Sequence, residues 1–114
     1  MKNILLIIGM LITTHAFSQQ VERYWKYEDD MSTIYYERVD TVTNITLATG
    51  SYLNDLKHGT WIGYWENGNM QTVINFRNGS RHGVSKSYDR KGRLVIKKRY
   101  KSSRLIYSKQ IAYY

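Results

Sequence analysis

A 24-residue period constrains this chain more than any other feature. Asn54 recurs as Asn78, His58-Gly59 as His82-Gly83, Tyr64 as Tyr88 and Gly68 as Gly92. Similar residues fill the same register: Tyr52, Phe76 and Tyr100; Lys57 and Arg81; Met70 and Leu94. No insertion or deletion is needed to align the copies. Self-similarity at this spacing marks stacked copies of one supersecondary unit, so the fold is built by repetition.

Each unit reads as strand, turn, strand, turn. Met70 to Phe76 is rich in strand formers, as is Leu94 to Tyr100. Between the strands stand Asn, Gly and His-Gly clusters, and Asn and Gly tolerate the positive φ that tight turns require. Strands are expected at Thr46–Leu53, Thr60–Trp65, Met70–Phe76, Val84–Tyr88 and Leu94–Tyr100. Less regular candidates lie at Tyr24–Tyr27, Ser32–Val39 and Arg104–Tyr113. The connections are too short for the crossovers that parallel strands need. The chain has no proline, so no strand loses an N–H donor, and its 11 tyrosines and 3 tryptophans suit half-buried pleated surfaces. The expected fold is all-β: a single antiparallel meander.

Side chains alternate between the two faces of a strand. One face is therefore expected to carry Ala48 and Tyr52, then Met70, Thr72, Ile74 and Phe76, then Leu94, Ile96 and Tyr100. The other face of the last of these strands carries Val95, Lys97 and Arg99. One side is apolar and aromatic, and the other turns cationic toward the C-terminus.

The run Tyr/Phe-x-Asn-x-x-basic-His-Gly, followed by Tyr and then x-x-x-Gly, resembles the bacterial variant of the MORN repeat. Tyr52 to Gly68 and Phe76 to Gly92 match it best. Tyr100 would begin a third, degenerate unit in which Ile106-Tyr107 stands in place of His-Gly. The resemblance spans roughly residues 46 to 104. It implies an elongated series of antiparallel hairpins and a role in protein or membrane association. Some bacterial members are described as antitoxin components.

The first 18 residues read as a secretory signal peptide, expected to be helical. Lys2 supplies the positive charge, Ile4 to Ile12 an unbroken run of apolar residues and glycine, and Ala16-Phe17-Ser18 the small residues before a cut ahead of Gln19. The run is shorter than the ~20 residues of a spanning helix. Three segments follow: residues 1–18 as leader, 19–45 as N-terminal strands or cap, and 46–114 as the repeat domain. The mature chain is then periplasmic or extracellular.

Charge is unevenly distributed. Residues 77–114 hold 12 Lys and Arg and one acid, Asp89, whereas residues 19–76 hold 4 Lys and Arg and 8 acids. This asymmetry suits an anionic partner for the C-terminal half, such as lipid phosphate, acidic glycan or acidic protein, or contact between oppositely charged halves of neighbouring copies. Lysines along a sheet also discourage unwanted strand pairing. Lys97, Arg99 and Lys101 are the cationic binding candidates. Trp61 and Trp65 are the aromatic ones, because they lack aromatic counterparts 24 residues on, where Ser85 and Asp89 stand.

Tyr52, His58, Gly59, Tyr64, Gly68, Phe76, His82, Gly83, Tyr88, Gly92 and Tyr100 are read as structural residues of the repeat. The chain has no cysteine, and two turn histidines fall short of the three or four convergent ligands a metal site needs. No nucleophile sits in an elbow or beside a His–acid pair, and no glycine loop is placed to cradle phosphate. No metal, cofactor, catalytic group or nucleic-acid motif is expected. The function that fits is an exported, non-catalytic interaction module. The alternative is an immunity or antitoxin protein that neutralises a toxin outside the cytoplasm.

Overall fold

The computed structural model describes residues 4–15 and 18–113, with side chains from residue 19 onward. Eleven strands form a single antiparallel sheet: β1 (Ile4–His15), β2 (Ser18–Tyr27), β3 (Asp30–Asp40), β4 (Ile45–Leu53), β5 (Leu56–Lys57), β6 (Gly59–Tyr64), β7 (Met70–Arg77), β8 (Ser80–Arg81), β9 (Gly83–Tyr88), β10 (Leu94–Lys101) and β11 (Arg104–Gln110). The order across the sheet follows the chain, with the short β5 and β8 paired back onto β4 and β7. The sheet runs open from β1 to β11, and no helix is present among the described residues.

The 24-residue period is written into the backbone three times. Positive φ recurs at Asn44, Gly68 and Gly92, at 59°, 89° and 86°. Each strand entered after that turn holds one extra residue against its partner. These bulge residues are Leu47, Gln71 and Val95, at the register shifts of β4, β7 and β10. Two-residue turns with both φ positive follow at Asn54-Asp55 (49°, 66°), Asn78-Gly79 (48°, 85°) and Ser102-Ser103 (48°, 66°). This is the type I′ geometry, whose twist matches that of a hairpin. Backbone hydrogen bonds join successive turns: Asn54 N–H donates to Ser32 C=O at 3.2 Å, Gly79 N–H to Lys57 C=O at 2.8 Å, and Ser103 N–H to Arg81 C=O at 2.9 Å.

The bulges correct one part of the alternation read from the sequence. Thr72, Ile74 and Phe76 share a face with Ile96 and Tyr100, because cross-strand partners lie on the same side. Met70 and Leu94 precede the bulge residues, so the period-2 count breaks at both. Met70 lies beside Ile62, Val73 and Tyr88 on the opposite face.

The N-terminal segment, expected to be helical, is the second correction. Ile4–His15 is a strand paired with β2 from Ile4↔Tyr27 to His15↔Ser18, not a helix. A short apolar run satisfies helix and strand patterns alike. Here it is rich in β-branched residues, which favour strands, and it pairs along the whole length of β2.

A single layer leaves little interior. Only Val21, Tyr36, Val39 and Tyr100 are buried apolar residues among those described. The Cα radius of gyration is 15.8 Å, against about 13 Å for a compact chain of this length. Most domains cover at least one sheet face with a second layer. In this sheet both faces stay half-exposed, and their chemistry differs.

Candidate functional site

One face is organised around Trp61. Its ring stacks on Tyr36 at 5.3 Å between centroids and meets Tyr52 edge-on at 5.1 Å and Phe76 at 6.3 Å; Tyr24 joins through Tyr36 at 5.2 Å. The indole lies over Gly50, where any side chain would enter the ring. Its Nε1–H donates to the Ser51 carbonyl at 3.0 Å. Lys57 caps the group, its Nζ 4.6 Å from the Trp61 ring and 5.2 Å from Phe76. Aromatic pairs contribute about 0.5–1.5 kcal/mol each beyond their buried area. In a sheet with so few buried residues, Trp61 is a centre of packing.

The repeat explains the basic residue of its motif. Lys57 sits over Phe76, and 24 residues later Arg81 Cζ sits 5.4 Å from the ring of Tyr100. Each unit thus covers the aromatic anchor of the next with a cation, worth about 0.5–1 kcal/mol at an exposed site. The glycines fit the same scheme. Gly59 lies opposite Phe76 and Gly83 opposite Tyr100, with φ of 77° and 76°. That backbone conformation carries a penalty for residues with a Cβ. Just before them, His58 N–H donates to Ser51 C=O at 3.1 Å and His82 N–H to Asn75 C=O at 2.9 Å. The His58 Nδ1 accepts the Asn78 N–H at 3.3 Å, tying one turn to the next. Tyr52, Phe76 and Tyr100 lie on one side of the sheet, as their cross-strand partners Ile34, Gly59 and Gly83 place them.

Trp65 stands apart from Trp61, at the opposite end of its hairpin. Its Nε1–H donates to the Tyr88 carbonyl at 3.0 Å, and Arg90 Cζ lies 4.4 Å from its ring. Arg90 also bonds Glu66 at 2.9 Å, and its carbonyl accepts from Asn67 Nδ2 at 2.7 Å and Asn69 Nδ2 at 2.8 Å. The two tryptophans therefore do not form a joint patch; each stitches neighbouring units. In the next unit Asp89 takes the place of Trp65 and accepts the backbone N–H groups of Lys91 and Arg93, both at 3.0 Å. The Arg93 N–H bond and guanidinium hold the Asp89 carboxyl below its ordinary range.

The other face changes character along the sheet. At the β2–β3 end it is apolar and aromatic, with Val21 opposite Val39 and Trp25 stacked on Tyr35 at 5.9 Å. Arg23 and Glu37 pair there at 3.2 Å. Across the later strands one row reads Thr49, Ile62, Val73, Lys86, Lys97 and Lys109, each directly opposite the next. Arg99 stands on the same face between Val84 and Tyr107. Lys86 and Lys97 are half-buried, whereas Arg99, Lys101 and Lys109 are exposed. The ion pairs among the described residues join Arg23, Arg90 and Arg93 to carboxylates; Lys86, Lys97, Arg99 and Lys109 have no acid partner there.

Two shallow hollows flank Lys97 on this face. One, of about 380 Å³, is lined by Ile62, Met70, Val73 and Val84 together with Asn75, Lys86 and Tyr88. The other, of about 360 Å³, lies between Val84, Arg99, Ile106 and Tyr107. Of the sequence candidates, the structure brings Lys97 and Arg99 together and leaves Lys101 at the hairpin end, opposite Arg104. The sequence places Lys86 in the general basic group of the C-terminal half but does not align it with Lys97, and it gives no reason to choose Lys109. Their place depends on the register of β9 and β11 against β10, and the Ser102-Ser103 turn that sets half of it is not one of the Asn-Gly pairs that announce a hairpin.

Among the described residues no three His, Cys, Asp or Glu side chains are grouped to hold a metal ion. No helix there is long and apolar enough to cross a membrane. No family model, curated protein or solved structure matches this chain.

Proposed function

We propose that this chain is an exported MORN-type interaction module, released by cleavage before Gln19, which binds a negatively charged partner through its basic face and carries out no chemistry. The observation that carries the reading is the row of Lys86, Lys97 and Lys109, directly opposite one another and without a carboxylate partner among the described residues. Like charges on facing residues of neighbouring strands destabilise a sheet. A row of three has a clear use once an anion lies across it. The aromatic face supports the same division of labour. Trp61 and Trp65 are engaged in packing and in hydrogen bonds to backbone carbonyls, so binding falls to the cations.

Two measurements on one preparation test this. Expressed with its leader, the chain is recovered outside the cytoplasm, and sequencing of its N-terminus begins at Gln19. The recovered protein is then retained on envelope material at low salt and released as salt rises, since exposed charge pairs are screened over about 8–10 Å at physiological ionic strength. Retention in the cytoplasm with Met1 intact contradicts export. Passage through the envelope fraction at low salt contradicts anion binding.

A further inference from the structure

Resting on that reading, we propose that the Lys86–Lys97–Lys109 row takes a linear acidic polysaccharide, a chain of uronate-bearing sugars laid across strands β9, β10 and β11. Three features of the row point to this chemistry.

The first is spacing. Neighbouring strands lie about 4.8 Å apart, so three facing lysines place their stems on a regular ladder about 10 Å long, perpendicular to the strands. A uronate chain carries its carboxylates at intervals of one or two sugar rings, a repeat that flexible lysine stems on such a ladder can follow. The second is what lies between the cations. The hollow on one side of Lys97 is lined by Ile62, Val73, Val84 and Tyr88, and the one on the other side by Val84, Ile106 and Tyr107. Sugar rings present C–H faces that pack on aromatic and aliphatic groups while their carboxylates reach outward to ammonium groups. The third is openness. Both hollows are shallow and Lys97 borders both, which suits a polymer passing over the surface more than a small molecule enclosed in it.

A bilayer or a compact polyphosphate would answer to net charge. A polyuronate answers to the row. The test separates these. The full chain is applied to immobilised polygalacturonate, with neutral dextran as the blank. Polyphosphate and vesicles of phosphatidylglycerol in phosphatidylcholine are run in parallel. Lys86→Gln/Lys97→Gln is compared with Lys26→Gln/Lys91→Gln, which removes the same charge away from the row.

The expected result is binding to polygalacturonate and not to dextran. It is weakened about tenfold by the row variant and less than about twofold by the other, because the row charges act together on one bound chain. The row variant is also expected to unfold at a higher urea concentration than the parent, since a like-charge pair is relieved. That gain shows that lost binding is not lost folding. Equal weakening by the two variants would overturn the row as the site. Binding to polyphosphate or anionic vesicles but not to polygalacturonate would overturn the polysaccharide and leave anion binding standing. Binding to none of the three anions would overturn both.

Discussion

Trp61 is the side chain on which the aromatic face turns. It touches Tyr36, Tyr52 and Phe76, and its ring fills the space that Gly50 leaves open. Trp61→Ala is expected to cost about 3 kcal/mol, at the low end for aromatic truncation because the ring is only half-buried. Trp65→Ala, which loses one hydrogen bond and one cation–π contact, is expected to cost about 1.5 kcal/mol. Urea unfolding of the two variants gives the comparison, and an equal cost would contradict the placement of Trp61 at the centre. Tyr36 supplies a pH dependence. Burial, and then the Glu22 carboxylate that its hydroxyl bonds at 3.2 Å, push its pKa from 10.0 up to about 12. A raised folded-state value means that the unfolded chain releases its proton first. The stabilisation is therefore complete below pH 10 and is lost as pH rises through about 12. Urea midpoints across that range should fall less steeply for Tyr36→Phe than for the parent chain.

At the scale of the hairpin, the three type I′ turns differ in how well their residues suit them. Asn78-Gly79 is ideal, whereas Ser102-Ser103 holds two residues with a Cβ at φ of 48° and 66°. Left-handed backbone costs such residues roughly 1–2 kcal/mol. Ser103→Gly is therefore expected to raise stability by about 1 kcal/mol without moving the strands, and a thermal melt measures it. The same turn shows what was legible in the sequence and what was not. Asn54 and Asn78-Gly79 mark their turns, and strand composition places most of β4, β6, β7, β9 and β10; the His-Gly pairs, which read as turn residues, instead join β5 to β6 and β8 to β9, with Gly59 and Gly83 opening β6 and β9 at positive φ. Ser102-Ser103 has no such signature, because there the fold imposes the turn on residues that merely tolerate it. The bulges at Leu47, Gln71 and Val95 were equally silent, since a bulge is a mismatch between two strands and no single strand's pattern records it. The N-terminal segment is ambiguous for a different reason: a run of Ile and Leu fits helix or strand until a partner is known.

For the molecule as a whole, the sheet spans 47 × 36 × 27 Å and lacks a second layer among its described residues. Its stability rests on strand pairing and on ring contacts along one face. The chemistry of the other face rests on which residues point to it. Both depend on register, because a one-residue slip sends every side chain of a strand to the opposite face. Cross-strand backbone NOEs are the direct measurement of that register. The structure predicts contacts from Lys86 to Lys97 and from Lys97 to Lys109, together with ring contacts from Trp61 to Tyr52 and Phe76. NOEs that pair Lys97 with Ser85 or Ser87, or that place the Trp61 ring among the lysines, would contradict the account.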